Sequence, residues 1–311
     1  MKLVEKCNLC SKQVFESILE SEDLMYNLDG KFKLVKCKNC SLMFENPQPN
    51  EKELLNHYPS QYYSISVLPK KSKFAEVVYK TYSDNGNLLL KILFYPIRPL
   101  IRGSKIVKNG KILDIGCGSG VFLERMKQLG MEIYGIDPFI EKDILELNIK
   151  KQAIEENHFS KNYFDVITAN NVLEHVGDPY AYLSEIQRML KINGTAIIAF
   201  PNINRILFKI FKKNWAELDL PRHMYFFNEK TFKQYCRKYN LKVIKVRYNS
   251  IPFGIMGSIF YFINSFRINR KDLSESFIVN NRIINLLFLP LCHILNIFKS
   301  GDRLEFYITK E

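Results

Sequence analysis

Residues 112–120 read Ile-Leu-Asp-Ile-Gly-Cys-Gly-Ser-Gly. An apolar strand ends in an acid, Asp114, and three glycines alternate after it at Gly116, Gly118 and Gly120 before a helical pattern begins at Val121. Alternating glycines let a backbone turn sharply and approach a ligand with no Cβ in the way. The helix N-terminus beyond them offers unpaired N–H groups to a polar ligand. A second strand, MEIYGID, ends in Asp137. An acid at that tip is placed to accept hydrogen bonds from ribose hydroxyls. The dinucleotide fingerprint G-x-G-x-x-G requires Gly or Ala at position 121, and Val121 does not meet it.

A second chemistry lies in the cysteines. Cys7 and Cys10 form one C-x-x-C, and Cys37 and Cys40 form another inside KLVKCKNCSLMF, which reads as strand, knuckle and strand. Two knuckles can bring four thiolates into a tetrahedron, the geometry Zn²⁺ prefers. A module of about 45 residues has too small a core to be stable alone, so a structural metal makes physical sense. A redox pair or four free thiols are the other readings. Cys117, Cys236 and Cys292 have no such partner spacing.

The elements that must position these residues follow from pattern. KILDIG is strand one and EIYGID strand two; FIEKDILELN reads as a helix, with a short strand near residues 150–154. YFDVITAN is strand four. Asp178-Pro179 supplies a cap and a first-turn proline for a helix that the pattern ends at Asn193-Gly194, before strand TAIIAFP. FNEKTFKQYCRKYN is helical, and LKVIKVRYNS and DRLEFYITKE are two more strands. Alternation of strand and helix implies a parallel sheet with helices on both faces. Upstream, NEKELLNHY reads as a short helix, and residues 73–102 as helices broken at Asn85-Gly86, Pro96 and Pro99.

The chain has 311 residues, is 47% hydrophobic and carries a net charge of +13. That supports a large core and attraction to anions, but the charge is spread along the chain and does not choose between nucleic acid, anionic lipid and phosphorylated small molecules. MKLVEKCNLC lacks the apolar core of a signal peptide, which predicts a cytoplasmic protein in a reducing compartment, with the inner face of the membrane as an alternative station.

Taken together, the double C-x-x-C ribbon, the D-x-G-x-G-x-G run, FDVI…LEHV-x-DP, the LK-x-x-G turn and PRHMYFF resemble class I S-adenosylmethionine (SAM)-dependent methyltransferases with an N-terminal zinc module. The resemblance implies an α/β, Rossmann-like seven-stranded sheet behind a small zinc ribbon. It divides the chain into a ribbon (1–45), a connector and helical lid (46–105) and a methyltransferase domain (106–311) with an apolar helical insertion at 251–300. It implies SAM contacts from Gly116, Gly118, Gly120 and Asp137, with Asp114 near the amino-acid end. Glu155 and Asn170 would reach SAM from the tips of strands three and four. Bacterial relatives often serve cell-surface polysaccharide or small-molecule pathways. Related quinone O-methyltransferases place an acid three residues before the Glu of Glu-His and can bind a divalent ion; here that position is Asn171, so no active-site metal is expected. Ile192-Asn193 replaces the usual Pro-Gly, and an Asn can take the left-handed turn.

Methyl transfer from a sulfonium needs alignment and removal of a proton from the acceptor. His175, after strand four, and His223, in Pro221-Arg222-His223, are the candidate bases. The alternative is that both serve structure, that Arg222 ties down a loop, or that Arg222 holds a phosphate or carboxylate. The leading expectation is methylation of a hydroxyl on a nucleotide- or lipid-linked sugar. The alternatives are a quinone or aromatic O-methyltransferase, a nucleic-acid methyltransferase and a non-catalytic zinc-bearing interaction protein. Ala-Asn-Asn-Val after strand four lacks the Asn/Asp-Pro-Pro-Tyr loop of many base-amino enzymes and argues against nucleic acid. Residues 251–266 and 283–298 are apolar runs too short for a comfortable span, flanked by Arg267, Arg270, Lys271, Arg282, Lys299 and Arg303. They suit either packing on the sheet or across a dimer, or peripheral docking on an anionic membrane.

Overall fold

A computed structural model describes residues 1–58, 72–82, 86–203, 205–266 and 281–311. Asn85, Arg267, Arg270 and Lys271 lie outside the described residues, as does the side chain of Arg282. The N-terminal strands β1 (Phe15–Ser21), β2 (Phe32–Cys37) and β3 (Met43–Glu45) pair antiparallel. The connector follows as α1 (Glu51–Leu55), capped by Asn50, then α2 (Lys73–Thr81), α3 (Leu88–Leu93) and a 3-10 segment at Tyr95–Leu100 that holds both prolines.

The main sheet begins with β4 (Lys111–Ile115), α4 (Val121–Gln128), β5 (Glu132–Ile136), β6 (Ile149–Lys150) and β7 (Phe164–Asn170). Next come α5 (Pro179–Met189) and β8 (Leu190–Pro201). The chain then runs through α6 (Ile206–Phe211), β9 (Tyr225–Phe226), α7 (Glu229–Lys238) and β10 (Leu241–Tyr248). The last elements are α8 (Pro252–Asn264), α9 (Arg282–Leu287), α10 (Leu289–Ile297) and β11 (Arg303–Lys310). Seven strands lie in the order β10-β11-β8-β7-β4-β5-β6. β4 to β8 are parallel, and β11 inserts antiparallel between β10 and β8. This is the Rossmann-like sheet that the motif order implies.

Two local readings need correction. Residues 139–148 are not a helix: they form turns and one 3-10 turn, Leu145–Leu147, closed by Asn148 in the left-handed region and by Ile144 bridging Ile149. The segment must return to the sheet edge at Ile149, and the chain available is too short to run a helix out and back. The helix after Asp178 ends at Met189, and Leu190 already belongs to β8. Neither Asn193 nor Gly194 has a positive φ, so the turn read there is replaced by an early start of the strand.

The cysteine ribbon is not a separate bead. β9 adds to β3 with Met43 opposite Phe226 and Phe44 opposite Tyr225, so residues 225–226 supply a fourth strand to the N-terminal sheet. Val35 and Phe44 share one core with Leu113, Phe200 and Phe306 of the main sheet. The joint is locked by Arg222, which is fully buried and donates through both terminal nitrogens to Asp23 at 2.8 Å, through Nε and Nη2 to Asp219, and through Nη1 to the His57 carbonyl. Burial alone would raise the Asp219 pKa, but the Arg222 charge and then His223 hold it below the usual carboxylate range. Arg222 thus has no donor left for a substrate anion; it ties the loop to the ribbon. Arg222→Ala leaves two buried carboxylates without their counter-charge, and chemical denaturation should register a loss of ~3–5 kcal/mol. A loss within experimental error would mean that this pair does not hold the joint.

Candidate functional site

The carboxyl ends of β4, β5 and β7 open into one cavity of about 1830 Å³. At its floor Gly116, Gly118 and Gly120 have φ of +67°, +53° and +80°. A Cβ on Gly116 would meet Val172 Cγ2 at 2.5 Å, and one on Gly120 would meet Ile149 and Leu147 side chains at 2.5 and 2.7 Å. The left-handed φ favours glycine at all three positions, and at Gly116 and Gly120 a Cβ would also crowd these side chains. The Gly118 N–H donates to Asp137 Oδ2 and the Phe139 N–H to Oδ1, each at 2.8 Å. Burial pushes the Asp137 pKa up, and these two N–H groups oppose it. Each oxygen keeps lone-pair capacity toward the cavity that Asp137 lines.

The other residues expected at this end divide. Glu155 is exposed on the 3-10 turn Ile154–Glu156 and lines the cavity, as does Asn170. Asn170 and Asn171 both accept from Arg303 Nη2, at 2.7 and 2.6 Å. Asp114 does not line the cavity. Its carboxylate is fully buried, paired with Arg102 and bonded by the Thr168 hydroxyl at 2.6 Å. The group that reaches the cavity in its place is Arg102, which also lies over the Phe122 ring at 4.0 Å. Sequence reasoning missed Arg102 and Arg303, since neither sits in a motif and only the fold brings them to the strand tips.

Further along the cavity His175 and His223 meet edge to face, ring centroids 4.6 Å apart. Each Nδ1 contacts a backbone carbonyl, Arg222 O for His175 and Glu217 O for His223, both at 2.9 Å. A carbonyl only accepts, so both Nδ1 atoms carry the proton and both Nε2 atoms carry the lone pair. Burial and then the neighbouring His223 lower the His175 pKa to about 3; burial lowers that of His223 as well. The Tyr58 hydroxyl is 3.0 Å from His175 Nδ1, and its ring stacks on Phe139 at 5.0 Å. Beside them Glu174 is buried, neither carboxylate oxygen has a hydrogen bond from a described residue, His223 Nε2 stands 4.0 Å from Oε1, and burial pushes the Glu174 pKa up to about 8. Burial thus favours the neutral forms of Glu174, His175 and His223, while Asp219 and Arg303, which line the same cavity, bring one negative and one positive charge beside them. Glu174, His175 and His223 place one donor atom each within 4.8 Å of one another. Asn171 does leave the sequence-local donor set incomplete, but the fold adds His223 to it, and a carboxylate with two imidazoles is a donor set that transition-series ions accept.

At the N-terminus the four paired cysteines converge. Sγ of Cys7 is 3.5 Å from that of Cys40, and Sγ of Cys10 is 3.5 Å from that of Cys37. The four sulfurs lie within 4.8 Å of one another, close to the edge of about 3.8 Å that a tetrahedron with Zn–S of ~2.3 Å requires. The knuckles repeat one geometry: the Ser11 N–H bonds to Cys7 O and the Ser41 N–H to Cys37 O, each at a serine with positive φ. This first knuckle docks on the main domain through Tyr180 Oη to Leu9 O and Tyr235 Oη to Asn8 Oδ1.

A family model described as a methyltransferase domain matches residues 82–246, more than half of the chain, and the chain belongs to that family. The sheet order and glycine loop are those of the class I SAM-dependent fold. Curated relatives include proteins named ubiquinone biosynthesis O-methyltransferase. The one from Pelagibacter ubique is 31% identical over 151 residues, covering 42% of this chain and 63% of the relative. The one from Rhodopseudomonas palustris is 33% identical over 165 residues, covering 45% and 65%. The chain thus spans less than two thirds of the length of these relatives. Similar solved structures include a SAM-dependent methyltransferase from Archaeoglobus fulgidus, 22% identical, covering 72% of this chain and 95% of that one with a TM-score of 0.43. Geranyl diphosphate C-methyltransferase from Streptomyces coelicolor is 10% identical, covering 85% and 99% with a TM-score of 0.48.

Proposed function

We propose that this protein transfers the methyl group of SAM to a hydroxyl of an aromatic, quinol-type small molecule. The observation that carries the reading is one continuous cavity with the glycine loop and Asp137 at one end and the neutral pair His175 and His223 at the other. At about 1830 Å³ it exceeds the ~300–1,000 Å³ that one drug-sized ligand occupies, leaving room for cofactor and acceptor together. SAM lies on the glycine loop with its ribose hydroxyls on Asp137; Glu155 and Asn170 flank it. The acceptor lies toward His175, against Tyr58 and Phe139. SAM supplies an activated methyl group; the chain aligns the acceptor oxygen and one Nε2 takes its proton.

An imidazole with a depressed pKa is a weak base. It suits a phenolic hydroxyl, which ionises near ~10, better than the less acidic hydroxyl of a sugar. The names of the curated relatives favour the aromatic acceptor in the same direction, over the sugar-linked acceptor that the sequence resemblance put first. Zn²⁺ at Cys7, Cys10, Cys37 and Cys40 belongs to the same proposal, as a closed structural site that fixes the cavity's N-terminal wall.

Calorimetry should detect SAM binding, weakened by ~1.5–3 kcal/mol in Asp137→Ala, the range for a hydrogen bond to a charged group. Equal affinity in the variant removes Asp137 from the site. Protein purified without chelator should carry about one zinc per chain; four freely titrating thiols in folded, metal-free protein would exclude the site. With radiolabelled SAM, catechols should be methylated, and His175→Ala or His223→Ala should lower kcat ~10²–10⁴-fold while SAM affinity holds. Label entering nucleotide-linked sugars and not catechols would overturn the aromatic reading, and unchanged kcat in both variants would leave neither histidine as the base.

A further inference from the structure

We infer that α8, α9 and α10, together with α3 and α6, form a face that docks on the surface of an anionic lipid bilayer. Helices α9 and α10 carry a single apolar stripe, Ile283, Leu287, Leu291, Ile294 and Phe298, at helical spacing. It points to solvent: Leu287 is 72% and Phe298 74% exposed. On α3 the residues Leu88, Leu89, Ile92 and Leu93 are exposed as well, Leu89 by 75%.

These elements form one layer. His293 Nε2 donates to the Pro96 carbonyl at 3.0 Å and its ring stacks on Tyr95 at 4.6 Å, which fastens α10 to the segment just after α3. α8 packs against α9 and against α6, where Phe211 meets Phe262 edge to face. α8 and α6 add the exposed Phe262, Ile263, Phe266 and Ile210. Apolar exposure on this scale marks an interaction surface rather than ordinary surface hydrophobicity.

Charge identifies the occupant. Residues 86–113, 205–216, 251–266 and 281–301 contain no Asp or Glu. They do contain Lys91, Lys209, Lys212, Lys213 and Lys299, and none of these five is in an ion pair with a described residue. A second copy meeting this face by two-fold symmetry would set lysines against lysines, which costs affinity. An anionic headgroup layer above an acyl region answers both the lysines and the apolar residues. No helix among the described residues is long and apolar enough to cross a membrane. The 13 residues of α8 span about 20 Å against a core of ~30 Å, so the helices lie on the surface. Leu100, Ile251 and Phe253 line the cavity from these same elements, so a docked face would stand beside the acceptor's entrance.

The test is flotation of the full chain with vesicles of phosphatidylcholine alone and of phosphatidylcholine mixed with phosphatidylglycerol. The chain should float with the mixed vesicles at low salt, far less with the neutral ones, and be released in part by added salt. The triple variant Leu89→Glu, Ile294→Glu, Phe298→Glu should bind at least ~10-fold less, with far-UV circular dichroism and thermal unfolding unchanged. If it misfolds, Lys209→Glu combined with Lys212→Glu and Lys213→Glu should weaken anionic binding alone. No flotation at low salt, or flotation that neither variant reduces, overturns the inference. So does a dimer that never floats and becomes a monomer in the triple variant, since a second copy would then cover the face.

Discussion

The buried contact between Arg222 and the carboxylates of Asp23 and Asp219 is the constraint on which the site depends. It joins the N-terminal ribbon to a loop some two hundred positions away, and it does so where water is excluded. Burying one guanidinium against two acids is costly unless nearly every donor is used, and here Nε, Nη1 and Nη2 are all engaged. Its neighbours inherit the geometry. His57 reads Asp23 through Nδ1, Tyr58 follows it into the cavity, and the Arg222 carbonyl sets the tautomer of His175. The cysteine ribbon is thereby part of the cavity wall, and β9 pairing on β3 reinforces the same joint.

At the opposite end the constraint is steric and not electrostatic. In the loop after β4 a Cβ at Gly116 or Gly120 would crowd Val172, Ile149 and Leu147, and Asp137 accepts from the Gly118 and Phe139 N–H groups. The connector closes over it: Arg102 neutralises Asp114, Arg247 binds the carbonyls of Arg98 and Ile101, and the Gly103 N–H bonds to Glu305. The glycine-loop end is thus tied to the connector and to β11. At the histidine end burial raises the Glu174 pKa and lowers that of His175, which favours the neutral form of each.

The order of strands, the glycine loop, Asp137, the cap at Asp178 and the paired cysteines were all legible in the sequence. Each rests on local rules: alternating burial, a Cβ-free turn, a side chain capping the next turn, a spacing of two residues between thiols. The two local misreadings, a helix at 139–148 and a turn at 193–194, came where sheet pairing overrode local pattern: Ile144 bridging Ile149, and β8 extending back to Leu190.

What the sequence determined by itself is the class of the fold, the glycine loop with Asp137 and the two C-x-x-C pairs, because each of those depends on residues close together in the chain. What only the tertiary structure decided is which charges are spent and which remain. Arg222 is consumed by Asp23 and Asp219, Asp114 stands behind Arg102, His223 joins Glu174 and His175, and the apolar runs at 251–266 and 283–298 turn part of their surface outward. Each of these is a pairing between residues far apart in sequence. Their energies arise from desolvation in a shared interior, and no local pattern encodes which partner will arrive there.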